Sequence, residues 1–185
     1  MSAIEIIPPR MLVVDDVPDN RELLRRCFEK RGYEVVEAES GTDALALIDG
    51  QRFDIVMLDI MMPGQSGIDT LKFIRQKFSP GKLPVIMVTS RGEIADVVEA
   101  LEFGANDYLT KPVELTVAYA RVTSQLERKR AQDAHERSVA KLASTVRQLE
   151  CEILELRRAD ARLLHLARDR DACASPRKTA GVATP

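Results

Sequence analysis

The sequence predicts a doubly wound α/β domain on a five-stranded parallel sheet, followed by a long α-helical coiled coil. Three observations carry this reading. Short apolar runs alternate with helical patterns from Met11 to Val122, as they do where each parallel strand is followed by a crossover helix. Four of the runs end in acids, hydroxyls or a lysine that suit one shared site. Between Val113 and Asp169 there is neither proline nor glycine, which favours one uninterrupted helix.

Met11-Leu12-Val13-Val14 is the first strand and runs into Asp15-Asp16. A helix near Asp19 to Lys30, a strand at Tyr33 to Val36 and a helix from Thr42 to Asp49 follow. Ile55-Val56-Met57-Leu58 closes on Asp59 and soon meets the breaker Pro63-Gly64, so this buried strand delivers one carboxylate to the loop at its C-terminal end. After a helix near Gly67 to Lys77, the strand from Leu83 to Val88 ends in Thr89-Ser90. A helix from Glu93 to Phe103 leads to the strand Asp107-Tyr108-Leu109-Thr110, which ends in Lys111-Pro112. Right-handed crossovers place helices on both faces, and ligands of open parallel sheets bind at the carboxyl ends of the strands.

That edge would gather Asp15, Asp16 and Asp59. Unit charges about 4 Å apart repel by roughly 4 kcal/mol at an effective dielectric near 20, so a bare cluster is unfavourable. Mg2+ would relieve it, because that ion takes oxygen ligands, needs few protein carboxylates and keeps positions for water and phosphate. Carboxylates for a metal, the Thr89 hydroxyl and the Lys111 ammonium are together what a phosphoryl group on Asp59 would need.

The order Asp15-Asp16, Asp59 with Pro63-Gly64, Thr89-Ser90, then Phe103-Gly104-Ala105-Asn106-Asp107-Tyr108 and Lys111-Pro112, closely resembles the receiver domain of two-component response regulators. The resemblance spans residues 8–124 and implies the flavodoxin-like receiver fold. It implies Asp59 as phosphoacceptor, with Asp16, Asp59 and the Met61 backbone carbonyl as direct Mg2+ ligands and Asp15 acting through water. Thr89 and Lys111 would bind phosphoryl oxygens, and Tyr108 would be the aromatic switch. A histidine kinase or histidine phosphotransfer protein is the implied donor, and a cis Lys111–Pro112 peptide is implied as well. Met61 and Arg91, each two residues beyond a site residue, would flank the attacking water and slow loss of the phosphoryl group. A dehalogenase-type phosphotransferase would want an acid where Met61 stands.

A net charge of −2 over 185 residues gives no electrostatic case for nucleic acid or an anionic membrane. The absence of a long apolar run or a signal pattern leads to an expectation of cytoplasmic residence. Cys27, Cys151 and Cys173 lack metal or disulfide spacing and read as reduced thiols. His135 and His165 read as helix-surface residues rather than phosphohistidines.

The last helix, at about 1.5 Å per residue, would extend roughly 80 Å. Its distal part carries a heptad with Val139, Val146 and Ile153 at a and Leu142, Leu149, Leu156 and Leu163 at d. β-Branched residues at a with leucine at d favour a parallel two-stranded coil, here a homodimer, with Glu152 and Arg157 placed for an interchain pair, and the strict 3.5-residue seam favours this over an amphipathic helix folded back on its own receiver. Asp160 at an a position would loosen the distal end. Residues 127–138 interrupt the pattern and read as a solvated stretch of helix, the alternative being a place where the helix phase changes on activation. The expected organisation is a receiver at 8–124, a dimerisation helix at 125–170 and a disordered tail at 171–185. Leu163 to Arg168 is similar to the helix end that leads into GGDEF diguanylate cyclase domains, although Ala174 stands where a threonine is usual. The chain could therefore be the regulatory piece of a longer output enzyme, or a constitutive dimeric scaffold.

Overall fold

The computed structural model describes residues 8–90 and 94–173, with side chains over 8–90 and 96–158. Five strands, β1 (Arg10–Val14), β2 (Glu34–Ala38), β3 (Ile55–Asp59), β4 (Val85–Thr89) and β5 (Asp107–Thr110), form one sheet in the order β2-β1-β3-β4-β5. Every pairing is parallel. The helices are α1 (Pro18–Glu29), α2 (Gly41–Gly50), α3 (Gly67–Lys77), α4 (Ile94–Glu102) and α5 (Leu115–Cys173).

β3 and β4 are buried along their whole length, as parallel strands covered on both faces must be. Successive residues in a strand point to opposite faces, and two apolar clusters result. Leu12, Val14, Val56, Leu58, Val85 and Met87 pack with α2, α3 and α4 through Ala44, Ile48, Leu71, Ile74 and Ala100. Met11, Val13, Ile55, Met57, Ile86 and Val88 face the other way, against Leu24, Cys27 and Phe28 of α1 and Ala118, Val122 and Leu126 of α5. Fully burying one such side chain contributes about 1.5–3 kcal/mol.

The register aligns the strand ends. Val14 pairs with Leu58, Asp59 with Val88 and Thr89 with Thr110, so Asp15, Asp59, Thr89 and Lys111 reach a common edge. Local chemistry sets the helix starts there. Ser66 caps α3 by accepting from the Asp69 amide at 3.1 Å, and Ser40 caps α2 in the same way through Asp43. Gly67 opens α3 against the backbone of Asp59 and Ile60, where a Cβ would collide with the Asp59 carbonyl. Gly64 lies at φ +80°, so the loop uses a conformation that glycine adopts without cost.

The chain divides into compact units at 1–135 and 136–185. In the first, α5 stays on the sheet through Leu126 and then by polar contacts of Lys129 and Asp133. Residues 127–138 are therefore not uniformly solvated. Lys129 is 16% exposed and Asp133 21%. In the second unit α5 is helical to Cys173, three residues into the expected tail. Leu163 and Asp160 lie outside the residues with described side chains, and the tail from Ala174 lies outside the described residues.

Candidate functional site

β1, β3, β4 and β5 deliver the site. Asp15 and Asp59 are both 2% exposed and Thr89 is 1% exposed, whereas Asp16 is half-buried. Lys111 closes the group, with its Nζ donating to Asp59 Oδ2 at 2.7 Å and lying 2.9 Å from Asp15 Oδ2. The Met61 amide donates to Asp59 Oδ1 at 3.4 Å, while the Met61 side chain is exposed at the rim. Thr89 Oγ1 donates to the Ser90 carbonyl at 3.3 Å. The Lys111–Pro112 peptide is cis.

Burial pushes the Asp59 carboxyl above the ordinary range and Asp15 adds to this, while Lys111 and the Met61 amide oppose it. Burial also works against the Lys111 ammonium, but hydrogen bonds and charge from Asp59 and Asp15 outweigh it and raise its pKa. The ammonium is therefore kept where an anion would need it.

Asp15, Asp16 and Asp59 each offer a carboxylate oxygen within 4.8 Å of the others. Three carboxylates face one ammonium, which leaves negative charge for a hard divalent cation. These residues fit Mg2+. They are not equally free. Asp15 Oδ1 accepts from the Val17 amide at 2.9 Å, Asn20 Nδ2 reaches Oδ1 at 3.0 Å and Oδ2 at 3.1 Å, and Lys111 takes Oδ2. Asp16 makes no hydrogen bond or ion pair among the described residues.

Asn20 is a site residue that sequence reasoning missed. It stands five residues after Asp15, and only the start of α1 at Pro18 turns its amide back onto that carboxylate. Arg21 was missed as well; its Nη1 donates to the Asp15 carbonyl at 2.6 Å, and its Nε lies 3.7 Å from Glu37. The helical spacing that joins these residues to Asp15 is readable, but nothing in the sequence says which strand end α1 will face.

Tyr108 sits at β5, half-buried against the α2–α3–α4 side of the core, with the Arg121 guanidinium 5.6 Å from its ring centre. Arg121 also pairs with Asp107. Beside them a cleft of about 390 Å³ is lined by Tyr108, Lys111, Pro112, Glu114, Val117 and Arg121. Arg91 lies outside the described residues. Val139, Leu142, Val146, Leu149, Ile153 and Leu156 are 45–66% exposed along the second unit. Cys27 and Cys151 are free thiols, the first buried and the second exposed.

Residues 11–123 match the response regulator receiver domain. The chain belongs to that family. The receiver is 42% identical over 119 residues to the uncharacterized transcriptional regulatory protein YrkP of Bacillus subtilis strain 168, a match covering 64% of this chain and 50% of that protein. The chain thus spans about half the length of this curated relative. Among solved structures it is similar to the receiver domain of a Francisella response regulator, at 32% identity and TM-score 0.60, over 65% of this chain and 98% of that one. It is also similar to a CheY-like receiver protein from Methanospirillum hungatei JF-1, at 28% identity and TM-score 0.64, over 68% and 99%. Receivers of two-component systems are phosphorylated by histidine kinases and bind Mg2+ at an acidic pocket, and in this chain Asp15, Asp16 and Asp59 form a cluster that could hold such an ion. No helix among the described residues is long and apolar enough to cross a membrane.

Proposed function

We propose that this receiver accepts a phosphoryl group on Asp59 from a phosphohistidine of a partner histidine kinase or histidine phosphotransfer protein. The observation that carries the reading is the convergence of Lys111 on Asp59 and Asp15, 2.7 and 2.9 Å away, with Thr89 at the adjoining strand end. An Asp59 carboxylate oxygen bonds to phosphorus as the bond from phosphorus to the imidazole nitrogen breaks, its electron pair leaving with the ring. Asp16, Asp59 and the Met61 carbonyl would hold Mg2+ directly and Asp15 through water. When bound, the ion supplies positive charge against the phosphoryl oxygens and the attacking carboxylate. Lys111 and Thr89 hold the transferred oxygens, so the protein contributes positioning and charge stabilisation to its own modification.

The new group adds about −1.5 to −2 charge near neutral pH. It draws Thr89 and Lys111 inward and lets Tyr108 turn, which alters the face built by α4, β5 and α5. Exposed Met61 slows loss of the phosphoryl group by crowding the approach of water.

The coil is the second half of the proposal. Six described heptad residues form an apolar seam that stays exposed among the described residues, and a second copy in parallel would bury it. The working organisation is a receiver over 8–124, a signalling helix over 125–170 and a tail from 171. Labelling with a small acyl-phosphate donor and Mg2+ tests the centre. Wild type should take up one phosphoryl group and Asp59→Asn none. Label on the variant would refute the assignment.

A further inference from the structure

Beyond Leu126 the apolar face of α5 ends, yet the helix remains attached to the sheet at the edge opposite the acidic site. Gln125, Lys129 and Asp133 recur every four residues and so share one helical face. Each has a partner on a different segment. Gln125 Nε2 donates to the Asn106 carbonyl at 3.3 Å, before β5. Lys129 Nζ donates to Asp54 Oδ1 at 3.1 Å, just ahead of β3, and to Asp133 Oδ2 at 3.4 Å. Lys82 Nζ, in the loop before β4, donates to Asp133 Oδ1 at 3.0 Å.

The anchors are themselves fixed. Asp54 Oδ2 accepts from the Arg10 amide at 3.0 Å. Asn106 Oδ1 accepts from the Val85 amide at 2.9 Å and from Arg75 at 3.0 Å. The Gln132 side chain occupies the place where a Cβ on Gly81 would stand, so glycine lets helix and loop close together.

We propose that residues 125–133 form a charge-based latch, in which Lys129 and Asp133 clasp the stem of α5 to Asp54 and Lys82. The polar stretch that interrupts the apolar pattern is thus a clasp that ionic strength or an opposing charge can open. It ends six residues before Val139, the first seam residue. A network of four alternating charges with two members partly shielded from water is worth more than an isolated surface pair. The latch does not depend on phosphoryl transfer, so it is tested on the unphosphorylated full chain.

Lys82 is the informative position, because it lies off the helix and its substitution leaves α5 propensity untouched. Amide hydrogen exchange over residues 127–135 should run about fivefold faster in Lys82→Glu, which turns an attraction into a repulsion. Peptides from β1 and β3 should exchange at wild-type rates. Adding Asp133→Lys to Lys82→Glu should bring exchange back to within about twofold of wild type, the shortfall reflecting the new repulsion from Lys129. About 0.5 M salt should speed exchange in wild type and narrow its difference from Lys82→Glu, where salt screens the new repulsion. Wild-type exchange in Lys82→Glu, or a double variant as fast as the single, would overturn the latch.

Discussion

The two halves of α5 have similar apolar content and opposite fates. Ala118, Val122 and Leu126 are 0–4% exposed beneath the sheet, whereas Val139, Leu142 and Val146 are 45–66% exposed. The proximal residues meet a surface built by β1, β3, β4 and α1 of the same chain. The distal ones remain exposed among the described residues. A helical pattern therefore announces that a face will be covered, while its period suggests by what: a broad stripe for a sheet, a narrow 3.5-residue seam for another helix.

A charge placed in each half should have opposite consequences. Val122→Asp should lower receiver stability by more than about 3 kcal/mol and reduce its Tm, because an unpaired carboxylate would sit in a closed core. Leu149→Asp should leave the receiver Tm unchanged and shift sedimentation equilibrium to monomer, weakening association at least about 100-fold. A monomeric wild type at all concentrations would remove the coil from the comparison.

Smaller effects separate the acidic site from the seam. Asn20→Leu should weaken Mg2+ binding by calorimetry about tenfold, as loss of an outer-shell partner does, without altering sedimentation. Titration of Asp59 gives a stability signature with a definite sign. Its folded pKa is raised by burial, so the native state holds more protons than the unfolded chain between the ordinary carboxylate value and the folded one. Stability in chelator should fall as pH climbs through that window, and Asp59→Asn should flatten the slope and melt higher above it.

The smallest effect belongs to the stem between the halves. Asp133 is held below the ordinary carboxylate value chiefly by its hydrogen bond to Lys82, with Lys129 assisting. Its contribution is present above the unfolded value and is lost as pH falls through the folded one. Exchange over 127–135 should therefore quicken in acid beyond the intrinsic rate, and Asp133→Asn should remove that dependence.

Much of this was legible in the residues. Asp59 closes an apolar run before a Pro-Gly breaker, and Lys111-Pro112 follows a strand, so strand ends and their chemistry could be read directly. The remainder depended on contacts between segments distant in sequence. Asn20 reaches Asp15 only because α1 begins at Pro18, and Gly67 matters only because α3 starts against the Asp59 carbonyl. Lys129 looked like any solvated lysine, since its partner Asp54 lies 75 residues away.

The alternation of strands and helices, the acids, hydroxyl and lysine of the site, and the heptad are local patterns of period and residue type, and so could be read from the residues alone. Which carboxylate is saturated, which glycine carries a close approach and which polar residues are bound rather than solvated emerged from the folded chain. Those properties are set by what the parallel register and helix packing bring within about 3 Å, the range over which hydrogen bonds act.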